Sequence, residues 1–368
     1  MNKSAIVLTA GSLLAGSAFA QSSIILYGIA DVSARYTTNS NAANDGQVQL
    51  TDGAVTQSRW GLKGSEDLGK NLRAIFQLEN GYSLDDGTMN SNGQLFNRQA
   101  YVGLAGDYGT IKMGRQLTEG FNLFGDYDPL TIGNYTASAW PFFVTQFRAN
   151  NVVGYGGKFG GLNVGASYGF GERPGTMSRA ATNPPNGNAP YFGVRVVYEA
   201  GSFGIGGVYQ DIRDVNGNKQ QMWGAAGKYI FGPAKLFVGY MGGKDRTGVI
   251  DNSFMNNSVS APPASTVTAG AANNPRKDTL GYIGLTYQAG PALAVTGVFY
   301  GDYVENKNGV NDNNGRRYTG VLLAEYSLSK RTQVYGTVDF NKVSGGTTTE
   351  LPGRNNQTSA ALGIRHIF

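Results

Sequence analysis

The sequence has no cysteine and only one histidine, and each scarcity excludes a class of protein. Without cysteine there is no disulfide scaffold and no thiolate metal site. The lone His366 leaves too few ligands for a histidine metal cluster and too few bases for most acid–base catalysis. A net charge of +5 over 368 residues does not indicate a nucleic-acid-binding protein. We therefore expect no catalytic residue, metal, cofactor or nucleic-acid partner.

Long apolar runs are also missing, apart from one short stretch at the N-terminus. Lys3 precedes the apolar run Ala5–Leu14, and Ala18-Phe19-Ala20 forms a small-x-small cleavage site before Gln21. This three-part pattern predicts a secretory signal peptide over residues 1–20. The alternative is a retained anchor, but the run has about half of the roughly 20 residues that a membrane-spanning helix needs. The mature chain is then residues 21–368.

The mature chain is predicted to contain no transmembrane helix. No apolar run near 18 residues follows the signal peptide, and the mean hydropathy is −0.26. A transmembrane β-barrel remains compatible with these values, because its strands alternate apolar and polar residues.

The chain is rich in glycine and aromatic residues, and in several segments apolar and polar residues alternate with a period of two. There are 55 Gly, 21 Tyr and 18 Phe. Alternation is clear near the C-terminus, where Leu362, Ile364, His366 and Phe368 share one face and Arg365 lies on the other. Two earlier segments alternate in the same way, with apolar faces at Leu293, Val295, Gly297, Phe299 and Tyr303, and at Tyr318, Leu322, Ala324, Tyr326 and Leu328. This pattern predicts β-strands that have one polar or charged face.

The predicted strands are joined by connections that alternate between short and long. The short ones are Gly64–Asn71, Gly106–Gly109, Phe159–Leu162, Glu199–Ser202, Phe231–Ala234, Gln288–Pro291 and Ser327–Arg331. The long ones are Thr38–Val55, Ser83–Gln94, Leu117–Gln146, Glu172–Ala189, Arg213–Lys219, Gly243–Lys277, Val304–Gly315 and Val343–Asn356.

Seven short turns and eight long loops predict a 16-stranded antiparallel barrel. Such asymmetry is typical of barrels that have turns on the periplasmic side of the outer membrane and loops outside. Closure is required, because each unpaired backbone group in hydrocarbon costs several kcal/mol. A barrel of this size is too wide for side chains to fill, so it encloses water. The fold class is therefore all-β, with residues 21–368 forming one barrel domain.

A soluble fold and an enzymatic function both fit less well. A β-propeller should show a blade repeat of about 40–45 residues, and no such repeat is found. An outer-membrane phospholipase or protease with a Ser–His arrangement would need its histidine next to the reacting groups, whereas His366 lies at the extreme C-terminus.

Several motifs resemble the trimeric general porins of Gram-negative outer membranes, most closely their beta-proteobacterial branch. Two of them are quite specific, the run Ser58–Gly69 and the ending Gly363–Phe368. Shorter matches are Leu26–Gly28 with Asp31, Asn97–Leu104, Gly109-Thr110, Gly114–Gln116 and Ser327–Thr332. The resemblance implies a homotrimer in the outer membrane, in contact with membrane lipid and lipopolysaccharide, that passes ions and small hydrophilic solutes.

In this family the third long loop folds into the barrel and narrows it, so the resemblance points to Leu117–Gln146 as the constriction loop. It contains Glu119, Asp126 and Asp128 among several aromatic residues. We expect the aromatic side chains to pack on the inner wall and the carboxylates to face water. An ordinary surface loop is the alternative.

Opposite this loop the family pattern implies a row of arginines on the wall. Arg59 and Arg98 lie in matched motifs, and Arg148 follows the loop. Alternation also points Arg73 and Lys63 inward, whereas Arg115 shares its parity with the apolar Ile111 and Met113 and stays ambiguous. Because basic rings favour anions, we expect a modest anion preference. The alternative for each residue is a solvated lumen charge without effect on selectivity.

The C-terminal Phe368 resembles the signal read by the outer-membrane assembly machinery, and His366 occupies an outward position of the aromatic girdle. Other barrel functions stay open from the sequence. A sugar-specific porin would show current that saturates with sugar, and an adhesin would bind cells through its loops without conductance. A plugged transporter is excluded because the first strand begins within about five residues of Gln21.

Overall fold

The computed structural model describes residues 23–90, 93–133, 140–181, 189–254 and 270–368. The predicted signal peptide and parts of four predicted long loops lie outside these residues. The strands are β1 (Ser23–Thr37), β2 (Gln47–Asp52), β3 (Arg59–Gly69), β4 (Leu72–Gly81), β5 (Gln99–Gly106), β6 (Gly109–Leu117), β7 (Arg148–Phe159), β8 (Leu162–Gly169), β9 (Tyr191–Ala200), β10 (Phe203–Arg213), β11 (Lys219–Phe231), β12 (Ala234–Asp245), β13 (Arg276–Gln288), β14 (Leu293–Glu305), β15 (Gly315–Ser327), β16 (Thr332–Gly345) and β17 (Asn356–Ile367).

Helical segments are few and lie in the loops. Among the described residues, two are α-helices, α1 (Glu119–Tyr127) and α2 (Val249–Phe254), and three are short 3₁₀ segments at Trp140–Thr145, Lys307–Gly309 and Gly346–Glu350. Within the described ranges, no helix is long and apolar enough to cross a membrane.

All strands belong to one antiparallel sheet that closes on itself. β1 pairs with β17 from Ile29–Ile367 to Thr37–Ser359. The other edge of β1 pairs with β3 along residues Ser23–Ile29 and with β2 along residues Val32–Thr37. β2 and β3 therefore share one position in the wall, so the 17 strand segments form the predicted 16-stranded barrel.

Alternation separates two faces of the wall. On β15 the outward Tyr318 and Leu322 are 38% and 56% exposed, whereas Arg317 and Thr319, on either side of Tyr318, are 1% and 0% exposed. This is the arrangement that the period of two predicted. In a transmembrane barrel the outward face contacts lipid and the inward face contacts water or loop residues, and such strands have one apolar and one polar side, as these do.

Two predicted boundaries are wrong. The short turn expected at Gly64–Asn71 is tighter, because β3 continues to Gly69 and pairs Asp67 with Arg73 of β4. The long loop expected at Thr38–Val55 contains β2, which forms the upper part of the second barrel position. The ends of these strands are polar because they project beyond the apolar band, yet their backbone groups still pair with the neighbouring strand. A polar sequence alone therefore does not show where a strand ends.

Candidate channel constriction

The third long loop begins with a capped helix whose start is tied to the loop's other end. Thr118 accepts a hydrogen bond of 3.2 Å from the Phe121 backbone N–H, which is the usual capping contact at a helix start. The same hydroxyl donates to the Thr145 carbonyl at 2.9 Å. The two ends of the loop are therefore held together where the chain leaves β6 and returns to β7.

Between these ends the loop packs its aromatic side chains on the buried face of the wall. Phe124, Trp140 and Phe142 are at most 1% exposed. The ring centroid of Phe142 lies 6.3 Å from Tyr282 of β13 and 6.1 Å from Tyr300 of β14. These edge-on ring contacts bury a large apolar area, so the loop is firmly attached to one side of the barrel.

Hydrogen bonds to strand side chains satisfy the loop backbone and the Trp140 indole. Gln210 of β10 donates to the Thr145 carbonyl at 2.7 Å and accepts from the Gly120 N–H at 2.8 Å. The Tyr282 hydroxyl donates to the Tyr127 carbonyl at 2.8 Å, and the Trp140 indole donates to Thr319 at 2.8 Å. Because buried backbone groups need such partners, these contacts fix the path of the loop.

Glu119 does not face water, contrary to the expectation for the loop carboxylates. It is 4% exposed and forms an ion pair of 3.2 Å with Arg195 of β9. Ser167 of β8 donates to it at 2.5 Å. Its place in the first turn of α1 also favours a negative charge, because helix N-termini are electropositive. Glu119 therefore anchors the loop to β8 and β9.

Asp128 is also buried, at 1% exposure, and holds the end of α1. It accepts hydrogen bonds from the Tyr300 hydroxyl at 2.6 Å and from the Ile132 N–H at 2.8 Å. Burial raises the pKa of Asp128 to about 7, although these hydrogen bonds oppose the shift. Of the three predicted acidic residues, only Asp126 is exposed.

Three of the predicted basic residues come together on the wall at the start of β3, the start of β5 and the start of β7. Arg59 and Arg98 lie within electrostatic range of Arg148. Arg98 donates to Glu79 of β4 at 2.8 Å and also contacts the Gln57 side chain. The Arg148 guanidinium lies 5.8 Å from the centre of the Phe121 ring, at the start of the loop.

Arg115 is a fourth member of this group, which sequence parity had left ambiguous. The pairing of β6 with β7 shifts between Gly114 and Gln116, and Gly114 has φ +130°. This bulge turns Arg115 toward Asn97, whose carbonyl accepts from it at 2.8 Å, and toward Asn150. Bulges redirect side chains in this way. We call Arg59, Arg98, Arg115 and Arg148 the arginine cluster.

The other two predicted basic residues lie away from the arginine cluster. Arg73 is exposed near the turn after β3, where it lies opposite Asp67 in the strand register. Lys63 lies further down β3 than Arg59, with its ammonium 5.2 Å from the centre of the Tyr27 ring.

Sequence reasoning missed Glu79, the carboxylate inside the arginine cluster. It is 4% exposed and accepts from Arg98 and, at 2.9 Å, from the Tyr27 hydroxyl. The alternation of β4 would have placed it inward with Arg73. Its proximity to Arg98 depends on the register between strands, which the sequence alone does not specify.

The break between β2 and β3 forms a second inward element. Asp31 of β1 holds it, because its carboxylate accepts from the Thr56 N–H at 2.8 Å and from the Tyr335 hydroxyl at 2.5 Å. Ala54 and Val55 are each 7% exposed and line a small cavity with Leu130 of the third loop. The break between β2 and β3 and the third loop therefore meet inside the barrel.

A buried ionic network joins the long connections after β12, β14 and β16. Arg276 of β13 contacts Asp251 at 2.9 Å, Asp278 at 2.7 Å and Glu350 at 3.1 Å. Lys307 contacts Asp251 and Glu350 at 3.5 Å each. All of these side chains except Asp278 are at most 1% exposed. The network fastens three outer loops to one another.

The C-terminal residue takes part in barrel closure. The Phe368 backbone N–H donates to the Gly28 carbonyl at 3.1 Å and its carbonyl accepts from the Gly28 N–H at 3.0 Å. His366 is exposed on the outward face, and its Nδ1 lies 2.9 Å from the Thr332 hydroxyl. Within the described part of the chain, no group of three or more potential metal ligands is found.

Comparison with known proteins gives a consistent result. A family model described as Gram-negative porin matches residues 4–346. Outer membrane porin protein 32 of Delftia acidovorans is 30% identical over 400 aligned positions that cover 100% of both chains. An outer membrane porin protein of Bordetella pertussis is 27% identical over 98% of this chain and 99% of its own. The solved anion-selective porin from Comamonas acidovorans has a TM-score of 0.73 at 25% identity, covering 95% of this chain and 100% of that one.

Proposed function

Because this chain belongs to the Gram-negative porin family, we propose that it is a general diffusion porin with a modest preference for anions. Members of this family are passive channels of the outer membrane, and this chain is such a channel and not an enzyme. The proposed cargo is ions and small hydrophilic solutes.

The observation that carries the anion preference is the arginine cluster. It places four guanidinium groups around one carboxylate, Glu79, which leaves a net charge of +3 on this part of the wall. Basic groups that line a narrow aqueous pore favour anions, since the nearby low-dielectric wall focuses their field. The solved relative described as anion-selective supports this assignment.

The third loop contributes mainly by narrowing the pore in this proposal. Glu119 is neutralised by its ion pair with Arg195, and Asp128 is buried against the wall. Neither therefore projects a full negative charge into the water. Among the described residues of the loop, only Asp126 remains as an exposed carboxylate. The electric field across the narrowest part of the pore is therefore set by the arginine cluster. A field of this kind favours anions, whereas two balanced rows of opposite charge would not.

We also propose the steps that bring the channel to its membrane. Residues 1–20 direct export and are removed, Phe368 is the recognition element for the outer-membrane assembly machinery, and three copies associate. The matched porins include a trimeric form of a Vibrio cholerae protein, which supports the trimer.

The experiment that tests this function is planar-bilayer recording of the refolded protein. We expect stepwise conductance, often in groups of three, and a reversal potential of anion sign in a salt gradient. Current that saturates with a sugar would replace the general porin with a sugar-specific one. Stable insertion without conductance would refute the channel and favour an adhesin.

A further inference from the structure

Between β2 and β3 the chain leaves the wall of the barrel. The register of β1 with β2 ends at Asp52, and its register with β3 begins at Arg59. The residues between them belong to neither pairing, and we call Gly53–Ser58 the inward segment. Glycine is required at its start, because Gly53 has φ +21° and an added Cβ would lie 2.1 Å from the Thr56 carbonyl oxygen. The segment therefore begins with a tight turn away from the sheet.

The inward segment crosses the inner face of three strands. Arg365 of β17 donates to the Thr56 hydroxyl at 2.7 Å. The Ala54 N–H donates to the Tyr335 hydroxyl of β16 at 3.2 Å. Ala54 and Val55 also line a small cavity with inward residues of β15. Since β17, β16 and β15 are neighbours in the sheet, the segment extends from β1 over the inside of the wall.

The third loop covers the next part of the inner wall and meets the inward segment. Glu119 of the loop accepts from Ser167 of β8 at 2.5 Å, and Trp140 donates to Thr319 of β15 at 2.8 Å. Leu130 of the loop lines the same small cavity as the inward segment. The two elements together extend over the inner wall from β8 to β17, whereas the arginine cluster lies on β3, β5, β6 and β7. The water path at this level therefore has the arginine cluster on one side and these two elements on the other.

Gln57 joins the inward segment to the arginine cluster. Its carbonyl accepts from Arg59 Nε at 3.1 Å, and its side-chain oxygen accepts from Arg98 Nη1. Arg98 also donates to Glu79 at 2.8 Å, so two acceptors fix the orientation of its guanidinium group. The side chains of Thr56 and Gln57 are half-buried, in contrast to the buried start of the segment. These two polar residues are thus placed to border the lumen.

We propose that the inward segment is a second constriction element of the pore. Thr56 and Gln57 border the water path, and Gln57 is a positioning residue that holds Arg59 and Arg98 where their charges act on passing ions. Gln57 is neutral, so it affects ion preference only through the places of these two guanidinium groups. This inference rests on the proposed function as a diffusion pore, and it adds a second narrowing element to the third loop.

The first test asks whether the inward segment borders the water path. Because the chain has no cysteine, one substitution introduces a unique thiol. Thr56→Cys places the thiol on the inward segment, and Thr349→Cys places it on an exposed outer connection as the control. Each protein is recorded in a planar bilayer before and after addition of sulfonatoethyl methanethiosulfonate, and mass spectrometry measures the extent of modification.

We expect both thiols to react, and the single-channel conductance to fall by about one third or more in Thr56→Cys alone, since added volume and negative charge at a constriction oppose the passage of anions. An unreactive thiol in Thr56→Cys, or complete reaction without loss of conductance, would overturn the constriction role. An equal fall in Thr349→Cys would overturn it as well. Because the readout is conductance, it remains decisive even if the wild type shows no anion preference, so the two proposals fail separately.

The second test asks whether Gln57 positions the arginine cluster. Gln57→Met keeps the size and charge of the side chain but removes the acceptor. The control Gln221→Met makes the same change on β11, where Gln221 donates to the Tyr209 hydroxyl at 3.0 Å. We expect the anion-to-cation permeability ratio, measured from the reversal potential, to change by about twofold or more in Gln57→Met alone, because displaced guanidinium groups alter the field in the pore. A wild-type ratio in Gln57→Met, or the same change in Gln221→Met, would overturn the positioning role.

Discussion

The Tyr300 hydroxyl of β14 donates a hydrogen bond of 2.6 Å to Asp128 at the end of α1. This contact joins the third loop to β14, further along the wall than its attachment to β8 and β9. Both side chains are at most 1% exposed, so water cannot replace either partner.

The Tyr300→Phe variant should therefore loosen the loop without changing the barrel. A buried hydrogen bond to a carboxyl group contributes about 1.5–3 kcal/mol, and its loss leaves Asp128 with fewer donors. We expect the free energy of urea unfolding in detergent to fall by about this amount and open-channel current noise to rise. Tyr318→Phe on the outward face is the matched control. Equal stability of the two variants would contradict the anchoring role.

The raised pKa of Asp128 predicts a pH dependence of stability. Because its pKa is about 7 in the folded protein and near 4 when unfolded, the folded state holds the proton more tightly between these values. Its contribution should thus be fully present at low pH and be lost as the pH rises toward 7, by up to about 1.4 kcal/mol per pH unit. Asp128→Asn should flatten this slope in urea unfolding measured from pH 4 to 8. The same slope in both proteins would show that Asp128 is ionised normally.

Removing Arg276 should release the outer loops. The substitution Arg276→Gln leaves Asp251, Asp278 and Glu350 close together without their shared cation. Breaking a buried ion pair in this way costs about 3–5 kcal/mol, whereas an exposed pair contributes about 0–1 kcal/mol. The control Glu305→Gln breaks the exposed pair with Lys277. We expect a large loss of unfolding free energy and faster protease cleavage of the loops for Arg276→Gln only, and similar values for both would refute the network's role.

Replacing Phe368 should affect assembly more than conduction. Its backbone closes the barrel against Gly28, and a substitution leaves those hydrogen bonds available. Phe368→Ala is therefore expected to lower the amount of protein reaching the outer membrane of cells, while refolded protein conducts as the wild type does. Leu328→Ala, another exposed apolar side chain near the same end, serves as control. Normal outer-membrane levels of Phe368→Ala would exclude a recognition role.

Strand number, alternation and loop asymmetry could be predicted from the sequence because they depend on local periodicity. The interior could not be predicted to the same depth. Burial of Glu119 depends on Arg195, which is distant in the sequence and meets it only in the folded barrel. Arg115 reaches the arginine cluster through a bulge, which reverses the parity that a regular strand would impose. Likewise, the break between β2 and β3 is stabilised by Tyr335, almost 300 residues away in the chain.

The central claim is that the arginine cluster sets ion preference, and the most direct test is the reversal potential of Arg59→Gln/Arg98→Gln/Arg148→Gln in a salt gradient. A variant that loses three exposed charges at the short turns, Lys70→Gln/Lys330→Gln/Arg331→Gln, is the control of equal charge change. We predict that the cluster variant loses anion preference while the control keeps it. The wild-type preference should also weaken from 0.1 M to 1 M salt, as the screening length falls from about 10 Å to about 3 Å. An unchanged reversal potential in the cluster variant would contradict the account.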